Sequence, residues 1–313
     1  GETELEIIVY KADYFKIIGV ENLNETLENH QLQLSTMKNS PYYATFATSI
    51  NFWMKTLNDI VECMDASLLV QQQWMYLESI FKGSDHIRKQ LPEETKLFEG
   101  VHRGWLDVMG TANQIKNVQK VFTQPGLVKR LAAFNADLEK IQKNLAQFLA
   151  GKRKAFPRFY FLSDQDLLEI LANAKDPLAV QPHINKLFVG IQKMVLKENK
   201  FNAKKWDAVG MTSKDKEEVA FNSPYLIDGE VENWLKGIEA CQCDTLRRQT
   251  KLAMHKLHKN KKNAHNPSVL NSWIDGFPGQ MLITTGQIHW SIRCEESLGA
   301  VKVRKEMRNL KKD

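Results

Sequence analysis

Residues 156–171 read FPRFYFLSDQDLLEIL, and this stretch decides the fold because it specifies the start of a helix. Ser163 is predicted to cap that helix, with Asp166 three residues later at the spacing of a capping box. Leu162 and Leu167 flank the cap at the positions of a hydrophobic staple. The residues that follow give the new helix a wide apolar face: Leu167, Leu168, Ile170 and Leu171. The stretch therefore predicts a helix that packs on its neighbours.

An aromatic junction precedes the cap. Pro157 lacks a backbone donor and restricts the residue before it, so a helix that arrives from the N-terminal side is expected to end here. Four aromatic residues surround the proline: Phe156, Phe159, Tyr160 and Phe161. We expect the three phenylalanines to be core residues between two helical units. Arg158, flanked by aromatics, is suited to stacking on a ring or to pairing with a carboxylate.

The composition indicates a globular chain with a sizeable core. Its 313 residues are 43% hydrophobic and 26% charged, which suggests two or three compact units and argues against disorder or a membrane protein. No apolar run approaches the roughly 18 residues needed to span a bilayer, and we expect no signal peptide. Four scattered cysteines favour a reducing compartment. The net charge of +6 does not by itself indicate a nucleic-acid partner.

The first half is predicted to be helical after one short hairpin. Residues 5–10 and 14–20 are rich in β-branched and aromatic side chains and predict two paired strands. Helical spacing begins at Leu23 and breaks at residues 39–41. Apolar residues three and four apart then predict two amphipathic helices. The first carries Phe46, Ile50, Trp53, Leu57, Ile60 and Met64, and the second carries Val70, Trp74, Leu77 and Phe81. Further helices are expected around residues 97–109 and 115–122.

The most regular helical pattern follows Pro125 and Gly126. Its apolar residues alternate steps of four and three: Leu127, Leu131, Phe134, Leu138, Ile141, Leu145 and Phe148. This spacing suits either a dimeric coiled coil or a bundle within one chain. The intrachain bundle is favoured because so short a run, inside a helical globular chain, usually packs on neighbouring helices.

The second half is predicted to be helical around one further hairpin. After a break at Asp176 and Pro177, a helix is expected over residues 184–195. Residues 209–221 predict a β-hairpin with a charged tip at residues 214–217. Helices are expected over residues 231–250 and onward to Lys262. The last helical core is expected to contain Trp273, Met281, Ile288, Trp290 and Leu298.

The predicted fold class is thus mainly α, an elongated rod of packed helical sub-bundles with one or two small β-hairpins. We expect an N-terminal part over residues 1–150 and a C-terminal part over residues 151–313.

No pattern in the sequence indicates catalysis. A phosphate-binding loop has the form Gly-x-x-x-x-Gly-Lys-Ser/Thr, and the pair Gly151-Lys152 lacks both the upstream glycine and the following hydroxyl. Cys241 and Cys243, with His255 and His258 downstream, have poor zinc spacing, so surface positions on a helix are favoured. We therefore expect no catalytic residue, no cofactor, no metal and no enzyme activity in this chain.

A basic run could mark a binding surface. It consists of Arg247, Arg248, Lys251, Lys256, Lys259, Lys261 and Lys262. A nucleic-acid or anionic-membrane surface is one interpretation. A solvated helix face is favoured because aromatic stacking residues are missing.

Several motifs, in order, resemble the linker of dynein heavy chains, the mechanical arm that lies across the ring of this AAA+ motor. Residues 156–171 carry the resemblance most strongly. Residues 70–81 read VQQQWMYLESIF and residues 87–94 read IRKQLPEE, similar to the family's Gln-x-x-Trp-x-Tyr-Leu-Glu-x-Ile-Phe and Leu-Pro-Glu run. Residues 229–235, GEVENWL, and residues 287–290, QIHW, match later family patterns. The sequence of residues 76–94 resembles that of axonemal heavy chains more than that of cytoplasmic heavy chains.

The resemblance implies a non-catalytic lever that docks on the AAA+ ring of the same heavy chain, bending and straightening with nucleotide state. The missing N-terminal part of the linker would precede this chain, and the ring would follow it. The parent motor would be an ATPase of the cilium or flagellum axoneme, associated with microtubules and with dynein light and intermediate chains. Under this resemblance the basic run could face an acidic surface of the motor. A static helical scaffold that binds other proteins is the alternative function.

Two segments are expected to bend or to touch the ring. The hinge is expected over residues 151–162, and the hairpin over residues 209–221 is expected to contact the ring surface. The individual candidates are Pro157, Arg158, Tyr160, Met211, Ser213, Lys214, Asp215 and Lys216.

Overall fold

The fold is mainly α, as predicted. A computed structural model describes residues 3–11, 14–259 and 266–310. The chain divides into two compact units, Gly1–Gly151 and Lys152–Asp313. Each unit combines helices with one small antiparallel sheet. No helix in the described part of the chain has the length and apolar character needed to cross a membrane.

The first unit begins with a two-stranded hairpin and continues as helices. The strands are β1 (Glu6–Lys11) and β2 (Tyr14–Ile18), as the sequence predicted, and the residues between them lie outside the described part. The helices are α1 (Val20–Lys38), α2 (Tyr43–Gly83), α3 (Asp85–Gln90), α4 (Pro92–Ile115), α5 (Val118–Phe122) and α6 (Leu127–Ala155), whose residues from Lys152 onward belong to the second unit. Helix α6 confirms the helix predicted after Gly126.

Helix α2 is one continuous helix of 41 residues, where the sequence predicted two. The stretch between the two predicted apolar stripes contains neither glycine nor proline, so nothing in it ends the helix. The later stripe, from Val70 to Phe81, is buried as predicted. In the earlier stripe, Phe46 and Trp53 are 61% and 43% exposed, so the predicted apolar face is only partly buried.

Trp74 is the centre of the first unit's core. Its indole is fully buried, and its Nε1 donates a hydrogen bond of 3.0 Å to Nδ1 of His102 on α4. Tyr10 and Tyr14, from the hairpin, meet the indole ring edge-on. Gln71 adds two hydrogen bonds to the backbone of β2, at Ile17. The hairpin is therefore fixed on α2 by aromatic packing and by polar contacts.

Elsewhere on α2, burial raises the pKa of the Cys63 thiol to about 11.

His102 should make the stability of the first unit depend on pH. Burial, and secondarily the charge of Lys82, lower the pKa of His102, against smaller opposing effects of Glu99 and Glu78. The unfolded chain therefore binds the proton more readily than the folded chain. The contribution of His102 to stability is complete above its ordinary pKa of about 6.5 and is lost as the pH falls below that value.

We expect His102→Gln to flatten the pH dependence of urea unfolding between about pH 7.5 and 5, where the wild-type chain loses stability. His30→Gln, at an exposed position of α1, is the control and should keep the wild-type slope. An unchanged slope in His102→Gln would contradict this assignment.

The second unit contains a three-stranded antiparallel sheet with helices before and after it. A short 3-10 helix (Pro157–Phe161), α7 (Asp164–Ala172) and α8 (Pro177–Leu187) come first. The strands β3 (Ile191–Asn199), β4 (Asn202–Ser213) and β5 (Glu218–Ile227) pair in the order β3-β4-β5. Helices α9 (Val231–Lys259), α10 (Pro267–Ile274) and α11 (Gly279–Leu310) follow.

Strand β3 occupies residues that the sequence assigned to a helix. Helix α8 ends at Leu187, and Gly190 takes a positive φ of 86° before the strand begins. The predicted hairpin over residues 209–221 thus consists of the ends of β4 and β5 that meet at the tip, and it belongs to a larger three-stranded sheet. The predicted continuation of α9 toward Lys262 falls on residues outside the described ranges.

The predicted last core is only partly correct. Met281 is buried, and Trp273 is half-buried, with its Nε1 donating to the carbonyl of Ala253 on α9 at 3.0 Å. Trp290 and Leu298 are each 70% exposed, so their assignment to the core was wrong. Helical spacing predicts which apolar residues share one face of α11. It does not predict how many of them are covered by another element.

Candidate functional site

The aromatic junction buries one face of a 3-10 helix. Phe156 and Phe159 are fully buried, and their ring centroids lie 5.0 Å apart in an edge-on arrangement. Tyr160 and Phe161 are 63% and 66% exposed. A 3-10 helix has three residues per turn, so residues 156, 159 and Leu162 share one face while Tyr160 and Phe161 lie on the others. The prediction that Phe161 belongs to the core was wrong for this reason.

Arg158 joins three elements of the second unit. Its Nε donates to Oε1 of Glu239 on α9 at 2.7 Å, and one terminal nitrogen donates to the carbonyl of Leu187 at 3.0 Å. Its guanidinium lies 5.0 Å from the ring centroid of Phe188. Arg158 thus stacks on an aromatic ring and pairs with a carboxylate, as its sequence context predicted. Both contacts are made inside the unit, on a side chain that is 36% exposed.

The basic end of α6 is bound to the same unit, which the sequence analysis missed. Nζ of Lys152 lies 2.7 Å from Oε1 of Glu232 on α9, and the two side chains are only 13% and 10% exposed. A terminal nitrogen of Arg153 donates to the carbonyl of Leu162 at 3.1 Å and lies 2.7 Å from Asp164 Oδ1. The sequence Lys-Arg-Lys at residues 152–154 suits the C-terminal end of a helix, where cations are favourable, but it does not indicate these partners.

These contacts affect where the predicted hinge can lie. A bend at Pro157 would separate Arg153 from Leu162 or Arg158 from Leu187 and Glu239. Gly151 lies within α6, and a Cβ added there would meet nothing within 4 Å. Because glycine weakens a helix, Gly151 is the position of the predicted hinge segment that can bend at the lowest cost.

The capped helix forms as predicted. Ser163 Oγ accepts a hydrogen bond of 3.1 Å from the backbone N–H of Asp166, and Leu167 is fully buried. This cap begins α7 directly after the aromatic junction. The start of α7 is therefore set by a contact that lies within a short stretch of sequence.

The tip between β4 and β5 is a tight charged turn. Ser213 Oγ accepts from the backbone N–H of Glu217 at 3.1 Å, and Lys216 takes a positive φ of 65°. Lys214, Asp215 and Lys216 are exposed. Oε1 of Glu217 accepts from the backbone N–H of Gly279 at 2.9 Å, which fixes the tip at the start of α11.

Met211 differs from the other residues proposed near the tip. Its side chain is 6% exposed, and in the sheet it pairs with Met194 and Val219. The part of this group that a partner can reach is therefore the turn itself. The turn contacts the start of α11, whereas Arg158 contacts the end of α8 and the middle of α9, so the two groups have different neighbours.

The cysteines, histidines and basic residues of α9 lie along one long helix. Cys243, His255 and His258 are exposed and Cys241 is half-buried, as expected for surface positions on a helix. In the basic run, Lys256 Nζ donates to the carbonyl of Ser272 at 2.8 Å. Lys261 and Lys262 lie outside the described residues.

The comparisons with known proteins agree on one family. A family described as dynein heavy chain, N-terminal region 2, matches residues 1–253. The dynein-1-beta heavy chain of the flagellar inner arm I1 complex from Chlamydomonas reinhardtii is 41% identical over 309 residues, 98% of this chain. Dynein axonemal heavy chain 2 of Mus musculus is 40% identical over 314 residues, 99% of this chain. The cytoplasmic dynein heavy chain of Dictyostelium discoideum is 32% identical over 298 residues, 95% of this chain.

The chain spans about 7% of the length of the first two relatives. The motifs that suggested the linker lie within regions covered by these matches. The resemblance is thereby confirmed: this chain belongs to the dynein heavy chain family, in its linker region.

Proposed function

We propose that this chain is the lever-like linker of an axonemal dynein motor. It carries no catalytic group of its own, docks on the AAA+ ring of the same heavy chain, and bends and straightens as the ring hydrolyses ATP. The observation that carries the proposal is the family match over residues 1–253, together with 41% identity to a flagellar heavy chain. In this proposal the parent motor moves on microtubules and binds dynein light and intermediate chains.

The contacts inside the second unit support a lever that transmits force. Lys152, Arg153 and Arg158 hold the end of α6 and the aromatic junction against α9 and the end of α8. A displacement of α9 would therefore move the end of α6 with it. We place the bend at Gly151, immediately before this bound segment.

The proposed ring contacts are the exposed groups of the second unit. The turn Lys214–Lys216 offers two cations and one carboxylate on a tip that Glu217 joins to the start of α11 by a hydrogen bond. Tyr160 and Phe161 offer adjacent exposed rings beside the bound junction. An acidic surface of the AAA+ ring that also has an apolar pocket would complement the charged turn and the two aromatic side chains.

The proposal is tested by binding this chain to a motor ring from which the linker has been deleted. Affinity should differ between the nucleotide-free ring and a ring with a nucleotide that traps hydrolysis, because only differential contacts can drive a conformational change. Equal affinity in both states, or no binding, would favour the alternative of a static scaffold. Charge reversal at Lys214 and Lys216 should weaken binding if the turn contacts the ring.

The hinge at Gly151 predicts a functional effect without a loss of fold. Gly151→Ala should stabilise α6 by about 0.5–1 kcal/mol and thereby stiffen the bend. We expect slower microtubule gliding by the parent heavy chain at an unchanged basal ATPase rate.

Gly100→Ala is the matched control for this experiment. Gly100 is exposed within α4, and a Cβ there also meets nothing within 4 Å. The control should stabilise its helix similarly and leave the gliding velocity unchanged. Equal velocities in the two variants and the wild type would place the hinge elsewhere.

A further inference from the structure

A buried histidine lies between two carboxylates in the second unit. His183 on α8 has a side chain only 5% exposed, and its Nδ1 lies 3.6 Å from Oδ1 of Asp166. Its Nε2 lies 3.5 Å from Oε2 of Glu169. Asp166 and Glu169 are three residues apart on α7, so they lie on one face of that helix. The three side chains therefore converge where α7 meets α8.

Both ring nitrogens of His183 are buried without a hydrogen-bond partner. Distances of 3.5 and 3.6 Å are too long for good hydrogen bonds. A neutral imidazole has one N–H donor and one nitrogen lone pair. A single proton can therefore serve only one of the two carboxylates, and the other carboxylate faces a lone pair. Buried ring nitrogens without a hydrogen-bond partner are costly, so a group that binds one of them is missing.

We propose that Asp166, Glu169 and His183 bind a divalent transition cation, with Zn²⁺ as the ion that fits best. Each residue can offer a ligand atom, and the three atoms lie within 4.8 Å of one another. In a tetrahedral zinc site with bonds near 2.1 Å, neighbouring ligand atoms are about 3.4 Å apart. The distance between His183 Nε2 and Glu169 Oε2 is 3.5 Å. Water would complete the coordination, as it does in zinc sites with three protein ligands.

The surroundings of the site allow an ion to enter but also oppose it. The Glu169 side chain is 59% exposed, so the site is accessible from solvent. Nζ of Lys186 lies 2.8 Å from Oδ2 of Asp166, and this hydrogen bond is the main cause that lowers the pKa of Asp166. The ammonium competes electrostatically with a bound cation. Removal of the ammonium should strengthen metal binding.

The site is tested with the complete 313-residue chain and the metal ions alone. We expect one Zn²⁺ by titration calorimetry, with weaker binding of Ca²⁺ and Mg²⁺ because imidazole favours transition metals. Co²⁺ should give an absorption spectrum of nitrogen and oxygen ligands without thiolate bands. Glu169→Gln should weaken Zn²⁺ binding roughly tenfold or more. Glu139→Gln, at an exposed position of α6, should bind as the wild type does.

Lys186 provides a second and opposite test. Lys186→Met should tighten Zn²⁺ binding, whereas Lys175→Met, at an exposed position between α7 and α8, should not. His183→Asn, checked for folding by circular dichroism, should lose the site. Absence of Zn²⁺ binding would overturn the proposal. Thiolate bands would overturn it by placing the ion at cysteines, and binding unchanged by Glu169→Gln would overturn it by placing the ion away from this cluster.

Discussion

Replacement of Lys152 by methionine is expected to lower the free energy of unfolding of the second unit by about 3–5 kcal/mol. Nζ of Lys152 lies 2.7 Å from Glu232, and both side chains are almost completely buried. Methionine conserves much of the volume but leaves the carboxylate of Glu232 without its cation. Removal of one partner from a buried ion pair costs more than the pair contributes, because the remaining charge keeps its desolvation penalty.

A double-mutant cycle separates this effect from packing. Glu232→Leu combined with Lys152→Met replaces the pair by apolar side chains and should recover most of the stability. Lys154→Met, at an exposed neighbouring position, should change stability by no more than about 0.5 kcal/mol. Urea unfolding measures Lys152→Met, Glu232→Leu, their double variant and Lys154→Met. If Lys152→Met cost as little as Lys154→Met, the end of α6 would not be held in the way described.

Replacement of Trp74 by alanine is the second large effect, with an expected loss of about 3–5 kcal/mol from the first unit. The indole is fully buried and donates a hydrogen bond to His102, so alanine removes both packing and a polar contact. Tyr10 and Tyr14 would also lose the ring against which they pack. We therefore expect faster amide hydrogen exchange in β1 and β2.

Trp53→Ala in the same helix is the matched control. Trp53 is 43% exposed, so its removal should cost about 1 kcal/mol or less and leave exchange in the hairpin unchanged. Similar losses in the two variants would mean that the core is not centred on Trp74.

The elements that were predictable have their signals close together in the sequence. The N-cap at Ser163 and the regular apolar stripe of α6 act over a few residues, and both formed as predicted. The first hairpin was also predictable, because β-branched and aromatic residues are concentrated in two short neighbouring segments. The likeness to the linker depended on such local motifs, which explains why the family could be identified from the sequence.

The elements that were missed depend on neighbours distant in sequence. Residues 184–195 have apolar side chains at steps of three and four, which suit a helix. The helix ends at Leu187, and β3 forms from Ile191 onward because β4 offers a paired edge. The partners of Lys152 and Arg158 lie about 80 residues away on α9, so no local pattern indicated them. The 3-10 turn after Pro157 rotated Phe161 to the surface, and spacing based on an α-helix could not predict this.

The burial of Cys63 determines how the native chain can be labelled. A thiol with a pKa of about 11 and no exposed surface will not react with a maleimide at neutral pH. Cys241 and Cys294 are half-buried, and burial also raises the pKa of Cys241, whereas Cys243 is exposed. A fluorophore added to the unmodified chain should therefore attach first at Cys243 on α9. This gives an optical reporter on the helix that holds both Lys152 and Arg158, with the core left intact.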